Sequence, residues 1–327
     1  MFYKYQLLLL TFALYLRIIN RYYYQRKVFI MKQLITSLLL AVTMGCGTAS
    51  AQPADAQDNH EGLQCLKNGH LTMAIDGAKG GKILSFKYDN QEIISQSRWP
   101  ETFGSTFWTS PQKEWYWPPV PEYDKRPYEV KQDGNVLTMT SGVSEKLKYR
   151  IRKQFAIDEK DEAFVITYFI INESDEVRKV APWEITRVPN EDGLIFFEVC
   201  DSIWPAGLMS FKDEHGMAWY QPDEANENRK VNTDGKGWLA YCSKEKGLLL
   251  VKKFQDLDAQ QPAPGEAEIQ VYVNRGKTYI ELESQGAYTT LKPKEELSWT
   301  VRWYLQPCKA TSAEEIAKKV KEILHNN

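Results

Sequence analysis

An acid and an amide, Glu283 and Gln285, stand two residues apart in the segment IELESQG, which closes on Gly286. Because glycine lets the backbone turn freely, the carboxylate is predicted to lie where a strand ends. The next strand-like run, Leu297–Leu305, alternates Trp, Val and Leu with polar residues, which is typical of a half-buried strand. An acid, an amide and nearby indoles can together hold a sugar. An ordinary solvated glutamate in a loop is the open alternative.

Three tryptophans and four prolines are concentrated in the segment Phe103–Pro121. The prolines are expected to exclude a regular strand and to stiffen a loop. Flat indole faces can stack on the C–H face of a pyranose and leave its hydroxyls free to form hydrogen bonds. A loop that covers the core and buries its own indoles is the alternative. The candidate binding residues here are Trp108, Trp115 and Trp117.

A second candidate segment is Ala181–Arg187, with the sequence APWEITR. In an extended chain, Trp183 and Arg187 share one face and Glu184 points to the other. An arginine among apolar residues favours a bidentate partner, either a carboxylate or the vicinal hydroxyls of a sugar. An internal ion pair between arginine and glutamate is equally compatible with the pattern. Trp183 and Arg187 are candidate binding residues, and Glu184 is a candidate catalytic residue.

The four histidines offer little for acid–base chemistry. His215 precedes Trp219 in a predicted turn, and it is kept as a candidate general acid beside the alternative of a surface residue. The sequence contains no HExxH motif and no phosphate-binding glycine loop. Five cysteines are widely spaced without a CxxC pair, which argues against a metal knuckle and leaves any disulfide pairing open. We expect no metal and no cofactor.

The N-terminal region carries an export signal. Met31 opens a segment with an apolar core, Leu34–Met44, and small residues ending at Ala51, which indicates a secretory signal peptide. Cleavage there predicts a soluble periplasmic or secreted protein. Cys46 follows the apolar core and offers a lipidation site, so a lipoprotein anchored to the membrane through this residue is the alternative.

Four regions are predicted along the chain. A two-part membrane anchor is the alternative interpretation of the first two regions. The expected regions are an over-extended N-terminus (residues 1–30), the signal peptide (31–51), a linker (52–61) and a single β-sandwich domain (62–327).

Charge and composition limit the classes of partner that the protein is expected to bind. The net charge of −2 and the lack of a long basic run exclude nucleic acid as an expected partner. Aromatic residues make up 13% of the chain, including ten tryptophans, and this number favours a sugar-binding function. A monomer with a mono- or oligosaccharide ligand is expected.

The remaining pattern predicts an all-β architecture of stacked antiparallel sheets. Short runs rich in β-branched and aromatic residues are separated by turn signals such as Gly80-Gly81 and Asp133-Gly134. One helix is predicted at the C-terminus, where Thr311-Ser312 followed by Glu315 forms a capping box. Ile316 and later apolar residues recur there at helical spacing. The pattern leaves open whether the sheets form a sandwich or a barrel.

Two segments, Lys79–Phe86 and Leu282–Gln285, resemble the galactose mutarotase (aldose 1-epimerase) superfamily. With GSTFWTSPQKEWYWPP and APWEITR, the chain looks more like an exported bacterial branch of epimerase-like proteins. The resemblance spans roughly residues 62–307. It implies a β-supersandwich whose open concave face binds sugar.

The resemblance also implies a mechanism. In mutarotases a glutamate in a Leu-Glu-Thr-Gln-like motif takes the proton of the anomeric hydroxyl, and a histidine protonates the ring oxygen. The matching glutamate is Glu283, but no histidine occurs at the two places where the family has one, near residues 103–108 and 172–184. The residues that could replace the acid are Glu184, Arg187, Tyr128 and His215.

The leading hypothesis is a carbohydrate-binding protein with a cleft lined by acid, amide, arginine and tryptophan side chains. A sugar-acting enzyme similar to aldose 1-epimerases, with Glu283 as general base, is the first alternative. A non-catalytic structural or interaction module, whose tryptophans belong to the core, is the second. The cleft residues of the leading hypothesis are Glu283, Gln285, Arg187, Glu184, Trp108, Trp115, Trp117 and Trp183.

Overall fold

A computed structural model gives the structure of the chain. It describes residues 62–98, 102–191, 193–200, 203–204, 212–214, 217–221, 227–310 and 312–325. The predicted signal peptide and linker, Cys46 and His215 lie outside these residues. Within them, no helix has the length and apolar character needed to cross a membrane.

The described chain is built almost entirely of short β-strands. The strands are β1 (Leu63–Asn68), β2 (Leu71–Asp76), β3 (Lys82–Tyr88), β4 (Gln91–Glu92), β5 (Ser105–Ser110), β6 (Glu129–Asp133), β7 (Val136–Val143), β8 (Tyr149–Asp158), β9 (Ala163–Asn172), β10 (Arg178–Val188), β11 (Leu194–Glu198), β12 (Ile203–Trp204), β13 (Lys212–Glu214), β14 (Met217–Tyr220), β15 (Arg229–Thr233), β16 (Trp238–Ser243), β17 (Leu248–Lys253), β18 (Ile269–Val273), β19 (Ile280–Gln285), β20 (Thr289–Leu291) and β21 (Glu296–Pro307). The helices are α1 (Pro121–Asp124) and α2 (Ala313–His325), with 3-10 turns at Gln112–Glu114 and Arg275–Lys277.

These strands form two antiparallel sheets. In the described residues the first sheet has the order β1-β2-β3-β5-β10-β19-β18-β15-β12, with β4 beside β3 and β20 beside β10. The second sheet has the order β13-β14-β11-β16-β17-β21-β9-β8-β7-β6. The predicted architecture of stacked antiparallel sheets with a C-terminal helix is confirmed, and the sheets form a sandwich.

The main core lies between the two sheets. Phe107 of the first sheet stacks on Tyr168 of the second, with ring centroids 4.2 Å apart and planes 5° apart. Phe86 of the first sheet packs edge-on against Phe164 and Trp303 of the second. Burial of these large aromatic side chains is the dominant favourable term that holds the layers together.

The C-terminal helix covers a smaller core on the second sheet. Ile316, Val320 and Ile323 are buried in one cluster with Phe196 and Trp238 of this sheet. The predicted capping box is present, because the Glu315 backbone N–H donates to the Ser312 hydroxyl (3.2 Å) and the Ser312 N–H donates to the Glu315 carboxylate (3.3 Å). The cap satisfies two of the free backbone N–H groups at the helix start.

Two local predictions are wrong. Strand β5 occupies the start of the proline-rich segment, because the prolines begin only at Pro111 and the preceding residues pair fully with β10. Glu283 does not mark a strand end, because β19 continues to Gln285 and pairs there with Trp183. Even Gly286 remains connected, since its N–H donates to the Pro182 carbonyl oxygen at 3.0 Å.

A fully buried ion pair connects the two sheets. Lys252 on β17 places its Nζ 3.2 Å from Glu184 Oε1 on β10, and both side chains are shielded from solvent. The Lys252 Nζ also donates to the Thr186 hydroxyl at 3.0 Å, and Trp303 Nε1 donates to Glu184 at 2.9 Å. Burial raises the pKa of Glu184 and lowers that of Lys252, while each opposite charge counteracts the effect on its partner.

We expect Lys252→Met to lower the free energy of unfolding by about 3–5 kcal/mol, because it leaves a buried carboxylate without its cation. Urea unfolding at pH 7 measures this loss. The double variant Glu184→Gln/Lys252→Met should recover part of the loss, since neither charge then remains. The neighbouring Lys253→Met is the matched control, because the Lys253 Nζ donates to a carbonyl oxygen of the C-terminal helix. A loss in Lys252→Met no larger than that of the control would contradict this account.

Candidate functional site

A cavity of about 350 Å³ opens on the first sheet, on the face turned away from the main core. Its volume falls at the lower end of the range of small-molecule sites. It combines aromatic walls with carboxylate, amide, hydroxyl and ammonium groups. The lining residues are Thr102, Trp108, Gln112, Trp117, Trp183, Lys230, Tyr272, Asn274, Tyr279, Glu281 and Glu283.

The register of four neighbouring strands brings these side chains together. Arg187 on β10 pairs with Glu281 on β19, which pairs with Tyr272 on β18, which pairs with Lys230 on β15. Directly paired residues point to the same face of a sheet. One row of side chains therefore crosses four strands, although its members lie far apart in the sequence.

A second row lies further along the same strands. Glu283 on β19 pairs with Ile185 on β10 and with Gln270 on β18. Beyond it, Trp183 pairs with both Gln285 and Trp108. The two-residue period of a strand places these side chains on the same face as the first row.

Glu283 forms the floor of the cavity, with only 1% of its side chain exposed. Its Oε2 atom accepts hydrogen bonds from Trp183 Nε1 at 2.9 Å and from Lys230 Nζ at 3.0 Å. Burial raises the pKa of Glu283 to about 7, the Lys230 charge opposes this rise, and the Glu281 charge adds to it. A carboxyl group with a pKa near neutrality can accept and release a proton at physiological pH.

Lys230 is the partially exposed partner of this carboxylate. About 33% of its side chain is accessible, so its ammonium group faces both the cavity and Glu283. The Nζ atom also lies 5.0 Å from the centroid of the Trp183 ring, a distance compatible with a cation–π interaction. Lys230, Trp183 and Glu283 thus form one contact group at the cavity floor.

Arg187 supports the cavity from behind. Its guanidinium group lies 2.7 Å from Glu281 Oε1, and it also donates to the Phe103 carbonyl oxygen at 3.3 Å. It lies 5.9 Å from the Trp108 ring and 5.6 Å from the Tyr279 ring. The Arg187 side chain is almost fully buried and does not line the cavity. Its contacts fix the orientation of Glu281, which lines the cavity.

Gln285 belongs to a polar network beside the cavity. Its Nε2 donates to Glu266 Oε2 at 3.3 Å, and Gln270 Nε2 donates to the same oxygen at 2.9 Å. The other oxygen of Glu266 accepts the backbone N–H of Gln112, at 3.0 Å. Gln112 itself lines the cavity, so this network positions the cavity wall without forming it.

The tryptophans of the proline-rich segment have different positions relative to the cavity. Trp115 is buried, donates to the Thr109 carbonyl oxygen at 2.8 Å and packs edge-on against Trp108. Trp108 in turn donates to Asp124 at 3.0 Å and packs edge-on against Trp183. Trp117 is different, because it lines the cavity while 60% of its surface stays exposed. One indole is thus presented to solvent at the cavity wall.

The structure separates the predicted site residues into three groups. Glu283, Trp108, Trp117 and Trp183 line the cavity. The second group supports it from outside the lining. It contains Arg187, Gln285 and Trp115.

The third group, Glu184 and Tyr128, does not reach the cavity. Glu184 points to the opposite face of β10 and forms the inter-sheet ion pair with Lys252, so the prediction that it lines the cleft is wrong. Tyr128 is buried and donates to the Tyr123 carbonyl oxygen, away from the lining. His215 lies outside the described residues.

Sequence reasoning missed several lining residues on β15, β18 and β19. Tyr272 and Glu281 each occupy an alternate position in a strand whose intervening residues are mainly apolar, as in IQVYV and IELES, whereas Lys230 lies in the more polar strand RKVNT. Such polar alternation in consecutive strands was the available signal. It identifies a solvated face, but it does not say which strands are neighbours.

A pH-dependent stability difference should distinguish Glu283 from an ordinary carboxylate. The folded-state pKa of about 7 lies above the ordinary value of 4.5, so the folded protein binds this proton more tightly than the unfolded chain. The contribution of Glu283 to stability is therefore fully present below pH 4.5 and is lost as the pH rises through 7. We expect the free energy of unfolding of Glu283→Gln, relative to wild type, to increase by up to about 3 kcal/mol from pH 4.5 to 7.5.

Urea unfolding over this pH range provides the measurement. Glu159→Gln, which removes an exposed carboxylate in the turn after β8, is the control and should follow the wild-type curve. A difference between Glu283→Gln and wild type that does not change with pH would show that Glu283 titrates like an exposed residue.

Comparison with known proteins supports the fold. A candidate aldose 1-epimerase from Escherichia coli is similar with a TM-score of 0.55 and 10% identity, over 75% of this chain and 99% of its own. A galactose mutarotase-like protein from Lactobacillus casei gives a TM-score of 0.55 and 13% identity, over 75% of this chain and 100% of its own. A candidate aldose 1-epimerase from Klebsiella pneumoniae gives a TM-score of 0.56 and 12% identity, over 78% of this chain and 80% of its own.

The similarity is one of structure rather than sequence. No protein-family model matches the sequence, and no curated protein matches it. The two antiparallel sheets and the near-complete coverage of the Escherichia coli and Lactobacillus casei chains confirm the fold that the sequence segments indicated. The described chain has the galactose mutarotase-like β-sandwich fold.

Proposed function

We propose that the protein binds a carbohydrate in the cavity above Glu283. The observation that carries this proposal is the exposed indole of Trp117 on the wall of a cavity whose floor is a buried, hydrogen-bonded carboxylate. The predicted signal peptide adds to the proposal that this binding takes place outside the cytoplasm. The structural neighbours, named for aldose 1-epimerases and a galactose mutarotase-like protein, support a sugar as the class of ligand.

The chemistry of the walls matches the two surfaces of a sugar ring. A pyranose presents an apolar C–H face and a rim of hydroxyl groups. Trp117 offers a flat apolar surface for the first, while Glu283, Lys230 and Asn274 offer acceptors and donors for the second. A concave site with aromatic walls and a few convergent polar groups is the usual form of a small-molecule site.

We expect Trp117→Ala to weaken binding of the sugar about tenfold, because it removes the exposed aromatic surface from the wall. Screening of mono- and oligosaccharides by ligand-observed NMR identifies a ligand, and calorimetric titration then measures its dissociation constant. Tyr116→Ala is the matched control, since the neighbouring Tyr116 is 68% exposed but does not line the cavity. Equal effects of the two substitutions would place the ligand elsewhere.

A second candidate function is proton transfer at the anomeric centre of the bound sugar. It is favoured by Glu283, whose pKa is about 7, in hydrogen-bond contact with the Lys230 ammonium group inside the cavity. In this proposal the Glu283 carboxylate accepts the proton of the anomeric hydroxyl and Lys230 donates a proton to the ring oxygen. The ring then opens and recloses on either face. In this proposal Lys230 takes the place of the family histidine that is missing near residues 103–108 and 172–184.

This second function predicts that the protein accelerates interconversion of α- and β-anomers of a sugar that it binds. Exchange NMR on glucose, galactose and any reducing sugar found in the screen measures the rate above buffer. Glu283→Gln and Lys230→Met should each lower the protein-dependent rate about 10²-fold or more, because each removes one half of the acid–base pair. If the protein binds a sugar but its anomers interconvert no faster than in buffer, the epimerase reaction is rejected and the carbohydrate-binding function is retained.

A further inference from the structure

A second cavity lies on the other side of the aromatic segment. It has a volume of about 370 Å³, and its walls carry both basic and aromatic side chains. Among the residues that line it are Glu114, Lys146, Tyr149, Arg178, Lys179 and Tyr288.

The two cavities share one short piece of chain. Gln112 and Glu114 occupy the same 3-10 turn, yet Gln112 lines the first cavity and Glu114 lines the second. Two residues of chain span at most about 7 Å, so the cavities adjoin. Trp115 joins them as well, because its ring packs against Trp183 of the first cavity while its carbonyl oxygen accepts a hydrogen bond from Lys146 Nζ, 2.8 Å away.

Strand β10 runs from one cavity to the other and so shows how far apart they lie. Lys179 precedes Trp183 by four residues on this strand, which corresponds to about 13 Å and to the same face of the sheet. A ligand that follows β10 from the first cavity therefore meets Lys179 next. A separation of this size suits neighbouring units of an oligosaccharide rather than two parts of a monosaccharide.

The charge of the second cavity is predominantly positive. Lys146, Arg178 and Lys179 face one carboxylate, Glu114. The Arg178 guanidinium is oriented by a hydrogen bond to the Ser174 hydroxyl (3.1 Å) and by an ion pair with the exposed Glu176 carboxylate (3.3 Å), which offsets part of its charge. A fixed guanidinium beside two ammonium groups attracts a planar anionic group such as a carboxylate.

Aromatic groups stand beside these cations. Lys179 Nζ lies 4.6 Å from the centroid of the Tyr288 ring, and Tyr149 contributes a second phenol to the lining. The Tyr288 backbone N–H donates to the Gln261 carbonyl oxygen at 2.7 Å, which anchors the main chain that carries this ring. An anion-binding group beside flat aromatic surfaces suits a sugar that carries a carboxylate, more than it suits a free inorganic anion.

We infer that the second cavity binds the carboxylate of a uronic acid unit within the same oligosaccharide whose neighbouring unit occupies the first cavity. This inference rests on the proposed carbohydrate-binding function and narrows its ligand to acidic oligosaccharides. The two cavities then act as adjoining subsites, one that recognises hydroxyl groups and one that recognises a negative charge.

The test compares acidic oligosaccharides with their own methyl esters, which keep the shape and lose the charge. Tri- and tetrasaccharides that contain galacturonate, glucuronate, mannuronate or guluronate are titrated into the protein calorimetrically, each beside its ester. We expect at least one acid to bind about tenfold more tightly than its ester, as one charge-assisted contact would give. The preference should decrease as the salt concentration rises.

The double variant Lys146→Met/Lys179→Met should reduce this preference to less than about threefold, because it removes two of the three cations. Affinity for the methyl ester is measured on the same variant and reports any disturbance of the Trp115 contact. Lys67→Met/Lys131→Met is the matched control, since it removes two exposed charges from strands at the sheet edges. The control should keep the full preference.

Three results would overturn the inference. The first is equal binding of every acid and its ester, and the second is a preference that survives in the cavity variant. The third is binding of neutral sugars alone, which would leave the proposed function intact and reject only the acidic ligand. Failure of every sugar to bind would reject the proposed function as well, so the two failures are distinguishable.

Discussion

The alternation of side chains along β10 is the constraint on which the arrangement of the molecule depends. This strand is buried on both faces, and polar residues occur on each. Trp183 and Arg187 lie on the face of β10 that carries the cavity, while Glu184 and Thr186 point into the space between the sheets. A buried polar group is costly unless it is paired. Each face of β10 therefore needs its own set of partners, and the two sets have different consequences for the protein.

On the inner face of β10 the polar partners connect the two sheets. On the outer face they surround the cavity. One carboxylate oxygen of Glu184, Oε1, is paired with a lysine and an indole from the opposite sheet, and both partners are buried. Glu283, in the adjacent strand, is likewise paired with an indole and a lysine, but its lysine is partly exposed at the cavity. The same pair of side-chain types is thus fully buried between the sheets in one place and lies at the cavity in the other. What differs is the solvent exposure of the cation.

The fold could be predicted from the sequence largely because its signals are local. Alternating strands, turn residues and the capping box at Ser312 each depend on a few consecutive residues. The site was predicted only in part, because its members meet through non-local strand pairing. Lys230 lies 53 residues from Glu283, and nothing in either segment indicates that β15 and β19 flank the same strand. The period-two pattern correctly separated Glu184 from Trp183, but one strand alone does not show which of its faces is open.

The proline-rich segment explains why a site can remain open on a sheet that carries so many large aromatic side chains. Trp108 and Trp115 are anchored by hydrogen bonds to Asp124 and to the Thr109 carbonyl oxygen, so their rings cannot collapse into the cavity. They form a firm base against which Trp117 stands, edge-on to Trp108 at 6.2 Å. An exposed indole normally gains by burying itself against a neighbouring apolar surface. Here the neighbouring surface is already filled by its own anchored tryptophans, and the exposed face of Trp117 remains available to a ligand.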